Sequence, residues 1–402
     1  LAAKREIEFL FIFLYIKRRK RVMDFALSKE HELLQKLYRE FAENEVKPLA
    51  QEIDEEERFP RETVEKLAKY GLLGIAYPVE YGGQGADYLA YIMCCEEMGK
   101  VCATTATIIG AHSTLCVYPI FTFGTEEQKQ KYLPDLLSGR KLGAFALTEP
   151  GAGSDSSMQQ TKAVKEGDHY ILNGTKCFIT NAGEADVYVV STMTDKSKGN
   201  HGITTFIIDK DTPGFSFGKH EKKMGIRGSA TADLIFENAI VPAENVIGTE
   251  GQGFKIMMKT LDAGRISMGA LALGIGEGAF DITVKYVKER KQFGKHIAAF
   301  QNTKFELADI KTKLDAAQLI CYKAACEKDA GRPYGLYAAE CKYLCAATAS
   351  DVTRRCLQLF GGYGYMREYD IERMMRDAKI TEIYEGTSEV QKIVMSNHLN
   401  IR

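Results

Sequence analysis

At 402 residues the chain is longer than one ordinary hydrophobic core supports, which argues for two or three domains. Apolar residues make up 45% and charged residues 27%, a balance that excludes a disordered chain, and a formal net charge of -1 gives no electrostatic reason to expect a nucleic acid partner. Ten cysteines without a CxxC pair and seven histidines without metal-like spacing argue against a disulfide framework and against a metal site.

Residues 1–22 read as an upstream extension that does not belong to the fold. The apolar run Phe9 to Ile16 is flanked by basic residues and is too short to span a bilayer. Glu6 and Glu8, with no serine nearby, make it a poor transit peptide. Residues 23–141 read as a helical domain. Ser28 is placed to cap a helix carrying Leu33, Leu34, Leu37, Tyr38 and Phe41 at helical spacing, with Pro48 and Pro60 as interruptions. Thr125 and Gln128 form a capping-box pair, and Gly139 fits a helix end.

Residues 142–250 change to strand patterning. Tyr170 to Leu172, then Asn173-Gly174, then Thr175 to Thr180 predicts a hairpin with a type I′ turn. Val187 to Val190, Gly202 to Ile208 and Ala232 to Phe236 are further β-like runs, so a β-barrel or sandwich is expected. Residues 251–402 return to helix. Leu307, Ile310, Leu314, Ala317 and Cys321 share one face, as in a bundle. The whole is a multidomain α+β chain.

Several runs carry chemistry. In Phe145 to Asp155, Gly151 and Gly153 free backbone amides, and Thr148 and Ser154 add hydroxyls that suit a phosphate or a polar ring edge. Gly274-Ile275-Gly276-Glu277-Gly278 resembles a dinucleotide fingerprint, but its helical context points to close helix packing instead. Asp262 and Arg265 share a helical face and read, by sequence alone, as a surface ion pair. Walker A, HExxH and GxSxG patterns are absent. The richest run is Ile383 to Gln391. It sets Glu385 between Tyr384 and Gly386, and Ser388 with Gln391 reads as a capping box opening the last helix. A carboxylate held in such a turn can lose water, gain a near-neutral pKa and act as a general base.

Taken together, residues 148–155 (TEPGAGSD), 177–183 (CFITNAG), 289–295 (ERKQFGK), 358–365 (QLFGGYGY) and 376–391 (RDAKITEIYEGTSEVQ) resemble the acyl-CoA dehydrogenase family in order and spacing, closest to its bacterial short-chain, butyryl-CoA-type members. The resemblance implies a helical domain, a β domain and a four-helix bundle, a homotetramer built as a dimer of dimers, and FAD as cofactor. It implies removal of hydrogen across Cα–Cβ of an acyl-CoA, with Glu385 as base and electrons passed to electron-transferring flavoprotein. Phe145, Leu147, Thr148, Ser154, Phe178 and Thr180 match positions that hold the flavin half of FAD; many members have Trp where Phe178 stands, and this chain has no Trp. Arg290, Phe293, Gln301, Gln358, Gly361 and Gly362 match FAD-binding positions that reach across a subunit interface, and Thr387 and Glu389 match positions near the far part of the cofactor. Ser154, Asp262 and Arg265 match CoA-contacting positions, with Tyr384 and Gly386 lining the acyl site. Some branches take their base from the position of Gly264, which cannot serve here. Branched-chain dehydrogenase or acyl-CoA oxidase activity, and a non-catalytic acyl-CoA or flavin binder, are the alternatives. The resemblance places the protein in a bacterial cytoplasm, ahead of a mitochondrial matrix.

Overall fold

In the computed structural model, which describes residues 25–399, the Ser28 hydroxyl accepts the His31 N–H and starts α1 (Lys29–Phe41). The extension 1–22 lies outside the described residues. Tyr38 and Phe41 are buried, whereas Leu33 and Leu37 stand exposed. Pro48 does not break the helical path. A π segment, Ala42–Val46, and a 3₁₀ turn, Lys47–Leu49, lead into α2 (Ala50–Glu56), and Pro60 precedes α3 (Arg61–Lys69). The domain continues through α4 (Tyr88–Val101), α5 (Ala103–Gly110), a π segment Ala111–Val117, α6 (Tyr118–Phe123) and α7 (Glu126–Leu137). The run Ala103–Phe123 is long and apolar enough to cross a membrane, but 78% of its apolar window is buried inside the fold, as in a core helix. Thr125 and Gln128 cap each other's backbone at the start of α7, and Gly139 follows its end at φ +74°.

Eight strands form one sheet: β1 (Gly143–Ala146), β2 (Lys162–Glu166), β3 (His169–Thr180), β4 (Val187–Met193), β5 (Ile203–Asp209), β6 (Phe215–His220), β7 (Thr231–Pro242) and β8 (Val246–Ile247). The path runs β6-β7-β3-β2-β4-β5-β8, and β1 pairs parallel with β4. Tyr170, Leu172, Tyr188, Phe206 and Phe236 supply the core. The hairpin expected at Asn173-Gly174 is not formed. β3 runs straight through it, and the register against β7 shifts between Leu172 and Gly174. Gly174 sits at φ +145°, where a Cβ would come within 2.6 Å of the Thr161 Cα. A β-bulge and a tight turn draw on the same permissive residues, and here the bulge took them. The chain reverses instead at Gly167, φ +63°, between β2 and β3.

The C-terminal part is α8 (Gly253–Glu289), a short β9 (Lys291–Gln292) and β10 (Lys295–His296) ribbon, α9 (Gln301–Asp329), α10 (Gly335–Phe360), α11 (Asp370–Ile380) and α12 (Ser388–His398). Ile310, Leu314, Ala317 and Cys321 are buried as expected, with Leu307 half-buried. Gly274 lets α8 press against α4: a Cβ there would overlap the Glu96 carbonyl. Every cysteine except Cys326 is buried, and all are free. The fold gathers the sulfurs of Cys321, Cys341 and Cys345 within 4.8 Å of one another, a grouping their spacing in sequence conceals.

One short segment ties the three regions together just upstream of Glu385. Arg376 on α11 donates to Asp54 of α2 at 2.7 Å and to the Met224 carbonyl at 3.1 Å. Asp377 accepts the Ile226 N–H at 2.5 Å. The turn that follows is therefore set by contacts to both other regions.

Candidate active site

α11 stops at Ile380, and Thr381 caps it by donating its hydroxyl to the Ala378 carbonyl at 2.6 Å. The chain then turns through Glu385, φ +53°, and Gly386, φ +96°. A left-handed conformation is strained for glutamate, by about 1–2 kcal/mol, so the surroundings must hold it. Ser388 is not the cap of α12. Thr387 is, accepting the Val390 N–H at 3.3 Å. Gln391 does not close a capping box either, because with Thr387 as the cap the third helical residue is Val390; its amide NH2 instead donates to the Gly386 carbonyl at 2.8 Å and to the Glu385 carbonyl at 3.2 Å. Lys342 of α10 donates to the same Gly386 carbonyl at 2.7 Å. The turn is gripped from both sides.

Glu385 keeps part of its surface open, but its Oε2 is shut off from solvent without a hydrogen-bond partner. Burial pushes its pKa up to about 7, opposed by the charges of Lys342 and Arg265. The Tyr384 hydroxyl, close to Thr107, is likewise buried and unpaired, as is the Arg265 Nε. Arg265 is only 5% exposed and reaches Asp262 at 2.8 Å, so the pair expected at the surface is a buried one. Both residues lie on the α8 turn that also carries Gly264. A Cβ at Gly264 would overlap Glu385 Oε2 and approach Leu115 Cδ2 to 2.8 Å. Among the described residues no backbone acceptor pairs with the Glu385 N–H. Native interiors rarely leave so many polar atoms unmatched in one place, and such a cluster suits a polar ligand.

A second group forms where β1 ends. Cys177 of β3 donates its N–H to the Thr148 carbonyl at 2.9 Å, bringing Phe145, Leu147 and Thr148 beside Phe178 and Thr180. Lys176, fully buried, donates to Leu147 O at 3.0 Å, to Glu149 Oε1 at 2.8 Å and to Gln159 Oε1 at 3.0 Å. Glu149 also accepts the N–H groups of Gln160 and Thr161, at 2.5 and 3.0 Å. Beyond this anchor, Gly151 and Gly153 have open space where a Cβ would lie, and Ser154 is exposed. Phe178 presents its ring at 66% exposure from a left-handed backbone, φ +59°. An aromatic platform beside open loop amides fits one face of a planar, polar-edged ring system.

A third group surrounds the end of α10. Arg290, Gln358, Gly361 and Gly362 line a cavity of about 630 Å³ with Tyr286 and Tyr363. The Arg290 guanidinium lies 5.0 Å from the Tyr363 ring centre. Phe293, 92% exposed, and Gln301, also exposed, do not line it. Thr387 and Glu389 stand at the start of α12, with Glu389 exposed.

Sequence reasoning missed Lys342, Lys176 and the hold of Gln391 on the Glu385–Gly386 turn. Lys342 did leave a trace: a lysine set among Ala338, Ala339, Cys345 and Ala346, one helical turn away on either side and all buried. A charge inside an apolar stripe asks for a reason.

Models of the acyl-CoA dehydrogenase N-terminal, middle and C-terminal domains match residues 28–140, 144–239 and 251–399. The chain is 57% identical to a short-chain specific acyl-CoA dehydrogenase of Clostridium acetobutylicum, over 94% of this chain and 100% of that one. The solved butyryl-CoA dehydrogenase of Megasphaera elsdenii superposes with a TM-score of 0.92 at 49% identity, covering 94% of this chain and 99% of that one. A chain from a solved structure of the electron transferring flavoprotein of Acidaminococcus fermentans, from work on flavin-based electron bifurcation, gives 0.93 at 51% identity, covering 94% and 100%.

Proposed function

The chain belongs to the acyl-CoA dehydrogenase family, and from that premise we propose that it oxidises short-chain acyl-CoA thioesters, butyryl-CoA to crotonyl-CoA, with FAD as cofactor and electron-transferring flavoprotein as electron acceptor. One observation carries the reading: Glu385 Oε2 is buried, unpaired and raised to a pKa of about 7. A base of that strength is half-ionised near neutral pH and is not solvated, which suits removal of a weakly acidic α-proton.

The residues supply the rest of the chemistry. Glu385 takes the proton from Cα, and the electron pair left behind forms the Cα=Cβ bond as hydride departs from Cβ. FAD, when bound, supplies the two-electron acceptor for that hydride. The free Glu385 N–H is available to the thioester oxygen, where a fixed donor aimed at developing negative charge is worth several kcal/mol. Arg265 and Lys342 keep the desolvated carboxylate ionisable. The Phe178 ring, the loop around Thr148 and the hydroxyl of Ser154 fit the flavin half, and the cavity lined by Arg290 and Gln358 fits another part of the cofactor, reached from a second subunit of a homotetramer.

The purified protein should be yellow and should bleach when butyryl-CoA is added without oxygen. Protein that stays yellow with every acyl-CoA tried is a binder and not an enzyme; rapid recolouring in air identifies an oxidase. Gly264→Ala probes the fit around the base. Alanine favours helix over glycine by about 1 kcal/mol, so α8 should keep its stability. The added methyl displaces the carboxylate, and turnover should fall about 10²-fold, the usual effect of a misplaced catalytic group. Parent-like kcat in this variant would show that the carboxylate does not work from the position it holds here.

A further inference from the structure

Lys342 lies on α10 with its side chain fully buried, and its Nζ donates to the Gly386 carbonyl at 2.7 Å. Among the described residues it forms no ion pair with a carboxylate within 4.0 Å. A buried ammonium without a counter-ion is one of the more costly groups a core can hold. The hydrogen bond does not justify it, because Gln391 already donates to the same carbonyl at 2.8 Å. A neutral side chain would satisfy the backbone more cheaply. What Lys342 adds beyond Gln391 is its charge, and the residue next to the carbonyl it holds is Glu385, the acid whose charge acts on it most strongly.

We propose that Lys342 is a positioning residue for the reaction, holding the Glu385–Gly386 turn from α10 while its charge keeps the buried Glu385 carboxylate available as a base. The inference rests on the assignment of Glu385 as the base. The surroundings are consistent with it from every packed element. Arg265 faces the carboxylate from α8, with Asp262 taking up part of that guanidinium's charge. Glu382, before the turn, and Glu389, on α12, face Lys342 more weakly than Glu385 does. Tyr384, next in the chain, has its ionisation suppressed by burial and by the carboxylate. Burial draws Lys342 down to about 8, with Glu385 as the largest opposing influence. Each of the two groups thus meets the other's charge in place of solvent.

The test compares Lys342→Gln, which keeps an N–H donor for Gly386, with Lys342→Met, which does not. Both are prepared as FAD-loaded full-length protein. Three quantities are read: the pH dependence of kcat/KM for butyryl-CoA, the dissociation constant of crotonyl-CoA, and the infrared carbonyl band of protonated Glu385, assigned by its loss in Glu385→Gln. Loss of the lysine charge should move the acid limb and the infrared titration up together by about one pH unit, a tenfold change in proton affinity. The kcat/KM at pH 7 should fall about 5-fold by the same shift, since the ionised fraction drops from about one half to about one tenth, while crotonyl-CoA binding to Lys342→Gln stays within about 3-fold of the parent. If the Lys342→Gln variant keeps the parent's acid limb and infrared titration, the proposal is wrong. Failure of the functional reading looks different: the parent protein itself is then not bleached by any acyl-CoA, while the infrared titration can still be read.

Discussion

Glu385→Gln should bind butyryl-CoA as the parent does and turn it over about 10²–10⁴-fold more slowly, the range for removal of a general base. The amide is nearly the same shape, so the strained turn and the grip of Lys342 and Gln391 on it survive. No other carboxylate can substitute, because position 264 is glycine and Asp262 is engaged with Arg265. The parent's rate should fall as pH drops through about 7, where Glu385 takes up a proton, and what activity remains in the variant should lack that limb. Stability should move the other way. The folded-state pKa lies above the ordinary 4.5, so the folded chain holds this proton more tightly than the unfolded one. Ionising Glu385 therefore works against folding: the penalty begins above pH 4.5, is complete by about pH 7 and is absent in acid. Removing it should stabilise the variant by up to about 3 kcal/mol at pH 8 and by nothing at pH 4. Urea unfolding at the two pH values reads this directly. Parent-like turnover, or a variant no more stable at pH 8, would remove the buried carboxylate from the account.

Lys176→Met should be the most damaging single change outside the base. The ammonium has three good acceptors in a fully buried site, among them Glu149 at 2.8 Å. Taking it away strands a carboxylate that is 5% exposed, and breaking a buried pair from one side typically costs about 3–5 kcal/mol. The N–H groups of Gln160 and Thr161 still hold Glu149, which keeps the effect toward the lower end. The same ammonium anchors the Leu147 carbonyl, so the loop through Thr148 should loosen, and the protein should purify with less flavin per chain. Lys176→Met with Glu149→Leu removes both charges and should recover most of the lost stability. Urea unfolding and the ratio of visible to ultraviolet absorbance measure the two effects. A Lys176→Met protein within about 1 kcal/mol of the parent, with full colour, would show the pair to be neutral.

Much of the architecture was readable from local chemistry. Helix, strand and helix again follow in order because each region keeps one hydrophobic period for most of its length. Thr125 with Gln128, and Gly139 after Leu137, stand where their backbone needs place them. The turn that carries Glu385 was readable because it is written in consecutive residues. The errors share one cause, which is that a local pattern fits two structures until distant residues choose. Asn173-Gly174 suits a turn or a bulge, and pairing of β3 with β7 on both sides of it decided for the bulge. Gln391 fits a capping box, but the cap fell on Thr387, one residue early, and the Gln391 NH2 group went to the Gly386 carbonyl. The anchoring contacts of Lys342 and Lys176 were invisible for the same reason. Their partners stand 44 and 27 residues away in the chain, and only the assembled fold brings them together.

The space at Gly264 has a consequence for descent. Two neighbouring elements, α8 and the turn before α12, both point at one small volume, and the fold leaves room there for a single acid. A lineage that moved its base from one element to the other could not do so by gradual replacement. Adding a carboxylate at residue 264 first would set two acids on top of each other, and removing Glu385 first would, on the proposed mechanism, leave the site without its base. The two positions are therefore coupled, and in this chain the volume falls to Glu385 because residue 264 has no side chain at all.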